Sequence, residues 1–313
     1  MTKHSTFKSA WRNYTAPKHW PTWLGFALLW LLSRLPYDTQ LLLGRQLGKL
    51  AWIALPSRRQ VTEKNLALSL PELSPDERTQ LARKVYSHVG MSIAEGASLW
   101  FRPVSFFEDR FTLEGHEHLD KALALNKGVI LLQAHFSLLE MNAAILGPRY
   151  PVSAVFDPPK NQLFSLFLID RRERFLQALI DNRQMRQMVR KLKQGEIVWY
   201  SPDQSVARSH GGIEARFFGQ PVLSTAGTNR IASMTNASIL PLLPTRHDNG
   251  KRYTLRIGPP VNINTKDDQA ATQAVNDLFE AQVKEQPEQY FWMHKRFKPP
   301  TDQYPNPYQR RSR

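Results

Sequence analysis

The chain has 313 residues, a formal net charge of +15, a sequence pI near 10.1 and no cysteine. The length suits one large α/β domain or two small ones, and the missing thiols exclude a disulfide scaffold, a thiolate nucleophile and a cysteine zinc site. The basic excess calls for an acidic partner (nucleic acid, an anionic membrane, a phosphorylated substrate or an acidic protein), and eight tryptophans, several near the N-terminus, favour a membrane.

Residues 1–19 form a polar, basic segment carrying Lys3, Lys8, Arg12 and Lys18. Trp20 to Ser33 then runs almost wholly apolar. No small-residue cleavage site follows, so it does not read as a removable signal peptide. Arg34, Pro36 and Asp38 interrupt the run before Leu41–Leu43, and the unbroken stretch is shorter than the ~20 residues of a spanning helix. Trp20, Trp23 and Trp30 are natural interface anchors. The expectation is a membrane-anchoring helix within 20–43, either spanning the bilayer or lying in one leaflet. Basic residues on both flanks leave its orientation open.

Leu47–Leu55 is a second apolar segment, and Arg58 to Leu66 reads as helix. Ser74-Pro-Asp-Glu77 starts another helix, with Ser as N-cap, Pro at the first position and Glu at the third. Leu81, Val85, Val89 and Ile93 are expected to form its buried face, at helical spacing. Phe111–Glu114 suggests a short strand and His118–Leu125 a helix.

Val129–Leu132 is an entirely apolar run after Gly128, the pattern of a buried strand in a parallel sheet. Helix formers resume from Leu138 to Leu146, so His135 sits where a strand ends and a helix begins. In open α/β sheets ligands bind at that carboxyl edge. Glu140 follows in the first helical turn, where its carboxylate can reach the imidazole or the helix's own amides. Two readings stand side by side. Ser137-Leu-Leu-Glu140 fits a capping box with a purely structural role. Alternatively, neutral His135 is a base for a substrate hydroxyl, and a carboxylate fixes its tautomer. Ser137 lacks the G-x-S-x-G elbow of a serine nucleophile.

Pro151–Phe156 is the next expected strand, and Leu163–Lys193 reads as mostly helical and strongly basic. Most of those arginines suit a solvated face. Arg171 and Arg172 differ, lying near an expected helix start after a bend at Asp170, where they can point at an anion. Ile197–Ser201 is the third strand, closed by Pro202-Asp203; Asp203 is either a turn residue or part of the sheet-edge site. Ser209–Gly212 reads as a loop. A helix is expected over Ser224–Thr235, strands over Ser238–Leu243 and Tyr253–Ile257, and an amphipathic helix over Asp267–Lys284. Residues 44–298 are expected to form one folded domain, and 299–313 read as a disordered Pro/Arg tail.

His135-Phe-Ser-Leu-Leu-Glu140 matches the H-x4-[D/E] signature of glycerolipid-type acyltransferases, within the lysophospholipid acyltransferase-like superfamily. Five stretches in order carry a longer match: Trp20–Leu35, Arg58-Arg59 with Asn65-Leu66, Gly128–Glu140, Gly195–Asp203 and Pro287–Lys298. Together they resemble the late acyltransferases of lipid A biosynthesis, most like their Kdo2-lipid IVA lauroyltransferase branch, from about Trp20 to Lys298. The resemblance implies transfer of a fatty acyl group from acyl carrier protein. The acceptor would be the 3-hydroxyl of an acyl chain on a lipid A precursor, at the cytoplasmic face of the inner membrane. By position it makes His135 the general base and Glu140 its partner, and aligns Arg172 and Asp203 with the other polar site positions. It implies no cofactor and no metal. Asp157-Pro-Pro-Lys160 departs from the Arg-Pro-Asn run of the lauroyltransferases, and substrate details differ if that loop touches either substrate.

Two rivals remain at this level. One is an acyltransferase for another glycerophospholipid or glycolipid. The other is a non-enzymatic basic membrane- or nucleic-acid-binding protein, which leaves His135 and Glu140 at a sheet edge unexplained. The basic residues also lack the aromatic-rich signature of RNA-binding modules, so no nucleic-acid partner is expected.

Overall fold

The computed structural model describes residues 7–263, 266–301 and 303–309. Lys3, the Lys8 side chain and the extreme basic tail lie outside the described residues. In chain order the helices are α1 (Phe7–Ala10), α2 (Trp20–Arg34), α3 (Tyr37–Ala54), α4 (Pro56–Ser69) and α5 (Pro75–Phe101), then α6 (His116–Ala124) and α7 (Leu139–Leu146). They continue with α8 (Gln162–Arg172), α9 (Met185–Lys193), α10 (Gly227–Thr235) and α11 (Asp268–Glu285). The strands are β1 (Phe111–Glu114), β2 (Val129–Leu132), β3 (Val152–Phe156), β4 (Ala178–Asp181) and β5 (Ile197–Tyr200), then β6 (Gly212–Phe217), β7 (Gln220–Thr225), β8 (Ser238–His247) and β9 (Arg252–Ile257).

Seven strands form one sheet in the order β1-β9-β8-β2-β5-β3-β4, and β6 and β7 make a separate hairpin. Every pair in the large sheet is parallel except β8 with β9. This is the expected α/β architecture, a mostly parallel central sheet flanked by helices. The all-apolar β2 lies between β8 and β5, fully buried on both faces, as a parallel strand under helices must be.

Several boundaries differ from the sequence reading. The stretch Leu163–Lys193 is not one helical region, because β4 lies within it. Phe175, Leu176, Leu179 and Ile180 fit a helical stripe. Yet the Gln177 amide bonds to the Val152 carbonyl at 2.8 Å, and that bond starts parallel pairing with β3. Ser224 and Thr225 belong to β7, and α10 begins at Gly227 with the Thr225 hydroxyl accepting from the Gly227 amide. The Ser74 capping box is formed as expected. The buried face of α5, however, is Ala82, Val85, Tyr86, Gly90, Met91 and Ala94, and Ile93 is exposed. Small residues explain the shift. Gly44 and Gly48 of α3 meet Gly90 of α5 so closely that a Cβ on Gly48 would run into the Tyr86 carbonyl oxygen. The described part of the tail is also packed: the Tyr308 hydroxyl reaches both Asn65 and the Phe297 amide, and Arg208 bonds to the Pro300 carbonyl.

No helix among the described residues is long and apolar enough to cross a membrane. At 1.5 Å per residue the 15 residues of α2 span about 22 Å, short of a ~30 Å hydrocarbon core. One face of α2 buries Phe26 against Phe167 of α8, with stacked rings 4.3 Å apart. The other leaves Trp20, Leu24, Leu28 and Leu31 exposed at helical spacing, and Leu43, Leu47, Leu50 and Ile53 continue that apolar surface on α3.

Candidate active site

Strands β2 and β5 are neighbours in register, Leu132 opposite Tyr200. Each chain leaves the sheet at the same edge, so the residues three beyond each end, His135 and Asp203, meet there. The His135 amide donates to Asp203 Oδ2 at 3.0 Å, and its ring Nδ1 makes a short hydrogen bond to Oδ1. The Tyr290 hydroxyl donates to Oδ2 at 3.0 Å from the other side. A second segment pins the loop. The Phe291 amide bonds to the His135 carbonyl at 2.8 Å and the Ser137 amide to the Gln289 carbonyl at 2.9 Å.

Asp203 is completely sealed while a quarter of the His135 side chain stays accessible. Burial alone would raise the Asp203 carboxyl. The charge of His135, the ring's hydrogen bond and the nearby His294 outweigh burial and hold it well below the usual carboxylate range. Burial likewise opposes charge on His135, but the Asp203 carboxylate overcomes it and raises the imidazole above its ordinary value. Tyr290, its hydroxyl pushed far up by burial and then by Asp203, stays a donor. With Nδ1–H committed to Asp203, Nε2 carries the free lone pair.

Glu140 therefore does not orient His135, which corrects the expected dyad. Its carboxylate instead accepts two bonds from Arg172 at Oε1, Nε at 3.0 Å and Nη2 at 2.6 Å, and one from Trp100 Nε1 at 3.2 Å. The physical reason is direction: Glu140 lies in the first turn of α7 and projects toward α5 and the end of α8, away from β5. The capping box fails as well. The cap position is Leu138, without a side-chain bond, and the Ser137 hydroxyl accepts from Arg246 at 3.2 Å. Arg172 ends α8 rather than starting a helix. Thus the structure brings all four sequence-derived residues to one edge, as two pairs: His135 with Asp203, and Glu140 with Arg172.

Two cavities meet at these pairs. The larger, about 410 Å³, is lined by His135, Glu140 and Arg172 and reaches Leu29 and the exposed Ile93, at the apolar helical face. The smaller, about 220 Å³, runs inward past Leu139, Ala143, Leu176, Leu179 and Trp199, and also touches His135 and Arg172. Asp157, where the family resemblance breaks, lines the smaller cavity and a third, more polar one.

The chain matches the family model described as bacterial lipid A biosynthesis acyltransferase over residues 8–299. It belongs to that family. It is 34% identical to the lipid A biosynthesis lauroyltransferase of Escherichia coli strain K12, covering 93% of this chain and 96% of that one. The palmitoleoyltransferase of the same strain is 32% identical over 92% and 94%, and its myristoyltransferase 25% identical over 96% and 94%. The chain is thus an acyltransferase of the lipid A family.

Sequence reasoning missed a sealed polar cluster beneath this acyltransferase site. Arg246 makes two bonds of 2.6 Å to Glu95, donates to His88 Nδ1 at 2.6 Å and reaches Ser137. The Tyr253 hydroxyl adds a bond to Glu95 at 2.9 Å. Burial, then the Arg246 charge, pushes His88 down to about 3, so it accepts as a neutral ring. The one available signal was a glutamate among the small residues of a long helix, since the strand reading stopped at Leu243, short of Arg246.

Proposed function

We propose that this acyltransferase moves a fatty acyl group from the thioester of acyl carrier protein to a hydroxyl on an acyl chain of a lipid A precursor, with His135 as general base. The observation that carries the mechanism is the His135–Asp203 pair, with the free Nε2 at the junction of two cavities. Nε2 takes the acceptor hydroxyl proton as that oxygen attacks the thioester carbonyl. Asp203 fixes the tautomer and stabilises the imidazolium as it forms. The tetrahedral oxyanion collapses, the carbon–sulfur bond breaks and the proton passes to the leaving thiolate.

The developing oxyanion needs donors. The first-turn amides of α7 carry no side-chain cap, and Arg172 lies beside them, steered by Glu140. The two cavities suit two acyl chains, one entering from the apolar α2–α3 face and one stored along Leu176, Leu179 and Trp199. On this reading that face lies in one leaflet of the inner membrane, with the catalytic body on the cytoplasmic side. The basic surface suits an acidic carrier.

The test is an in vitro assay with acyl carrier protein donors of several chain lengths and a tetra-acylated lipid A precursor. Acyl transfer that is lost in His135→Ala supports the reading. Full activity with the carrier omitted and an acyl-coenzyme A supplied would replace the donor. Transfer to glycerophospholipid alone would replace the acceptor.

A further inference from the structure

Two stretches that carried the family resemblance are Arg58 to Leu66 and Pro287 to Lys298; beyond the support that Gln289, Tyr290 and Phe291 give the His135–Asp203 pair, the fold builds one pocket from both. Asn65 of α4 donates to the carbonyls of Trp292 at 2.7 Å and His294 at 2.8 Å, and Arg58 donates to that of Met293 at 3.3 Å. Those bonds hold the 292–295 turn against the start of α4. The result is an open cavity of about 230 Å³ lined by Arg58, Gln204, Ser205, His294, Lys295 and Lys298. Three cations line it and no carboxylate does. Lys295 and Lys298 are exposed, and neither forms an ion pair among the described residues. His294 donates its Nδ1–H to the Phe291 carbonyl at 2.8 Å, which leaves a buried Nε2 without a partner. That atom is an acceptor, suited to a hydroxyl.

The pocket adjoins the chemistry. Gln204 and Ser205 follow Asp203 directly, and Gln204 also lines the 410 Å³ cavity beside His135. It also sits at a border. The exposed apolar residues of α3 end with Ile53 and its C-cap Leu55, and Arg58 follows three residues later in the first turn of α4. A lipid whose chains lie on the apolar face has its headgroup at that border.

We infer that Arg58, Lys295 and Lys298 form a phosphate subsite for the headgroup of the lipid acceptor, with His294 receiving a neighbouring hydroxyl. The inference rests on the lipid acceptor of the proposed function. The phosphate fixes one end of the acceptor while its reacting chain reaches Nε2 of His135. Two or three cations around one dianion are worth far more than a single contact, because each bond is charge-assisted.

The test measures equilibrium binding, so it does not depend on His135 being the base. His135→Ala protein in detergent micelles is titrated with a phosphorylated acyl-disaccharide acceptor and with its phosphatase-treated form. Phosphopantetheine and pantetheine serve as a second pair of probes. The parent should prefer the phosphorylated lipid at least tenfold. Lys295→Gln with Lys298→Gln should erase that preference, and Lys295→Arg with Lys298→Arg should restore it. A preference that survives the double Gln change overturns the subsite, as does a parent with no preference. Loss confined to the phosphopantetheine pair assigns the phosphate to the acyl donor and overturns the lipid assignment.

Discussion

Two charged clusters lie either side of Ser137, and they are built on opposite terms. In one, Arg246 and Glu95 are both sealed, and every strong donor on the arginine is met by Glu95, His88 or Ser137. In the other, Asp203 is as thoroughly sealed, but its partner His135 keeps an accessible face and one uncommitted nitrogen. A closed cluster has nothing left to give a substrate and serves the architecture. A cluster closed at one end and open at the other holds a reactive atom in place. Burial alone does not tell them apart; the uncommitted atom does.

The comparison breaks most sharply at His135. His135→Ala should lower turnover by about 10²–10⁴-fold with the melting temperature held, since it removes a general base and leaves Asp203 bonded to Tyr290 and to the backbone. A variant that melts early instead would move His135 into the architectural class. Asp203→Asn should cost nearly as much rate and also move the pH profile. Asp203 raises the imidazole, so the acid limb of kcat/KM in the native enzyme should lie above the ordinary ~6.5 of histidine. With Asn it should fall below the native value. The same pair links stability to pH. Asp203, held low when folded, contributes above the unfolded carboxyl value of ~3.9, and that contribution is lost as pH falls through the folded one. His135, held high when folded, contributes below ~6.5 and loses its share as pH rises through its folded value.

The closed cluster predicts the reverse signature. Glu95→Gln leaves Arg246 as an uncompensated buried cation and should destabilise by about 3–5 kcal/mol in chemical denaturation. The residual folded fraction should keep a near-native pH profile. The Glu140–Arg172 pair falls between the two classes. Glu140→Gln keeps an acceptor for Arg172 but turns an amide toward Trp100, and should lower rate about tenfold with little loss of stability. Combined with Arg172→Ala it should add almost nothing, because both remove one arrangement. Full additivity would show that Glu140 acts without Arg172. At the smallest end, Arg190→Ala on the basic face of α9 should change turnover by less than about twofold.

The site was partly legible because its first half is local. Strand, polar break and helix around His135 follow from a glycine, four apolar residues and renewed helix formers. The Asp203 position was also readable as a strand end, but the pairing depends on the register of β2 against β5, and no property of either segment alone states it. A nearer carboxylate, Glu140, was the natural partner by sequence distance, and helix direction overruled it. Arg246 was illegible for another reason. Ser238–Leu243 reads as a strand from its apolar content, whereas β8 runs on to His247 through pairing with β9, carrying a charged residue inward. The strand β4 escaped because four residues with apolar neighbours fit a helical stripe as well as an edge strand.

The bonds of Asn65 have a consequence for how the chain is made. Its two carbonyl partners lie 227 and 229 residues further along, and Tyr308, 243 residues away, also binds it. During synthesis α2 and α3 leave the ribosome with their apolar stripes bare, long before the segment that finishes α4's surroundings exists. Contacts so distant in sequence form late. The helical leader therefore lacks part of its packing until the end of the chain is made. A chain that terminates prematurely before Gln289 loses more than its last residues. It lacks the Tyr290 bond to Asp203 and the backbone bonds that clamp the His135 loop, and is left as an unfinished enzyme.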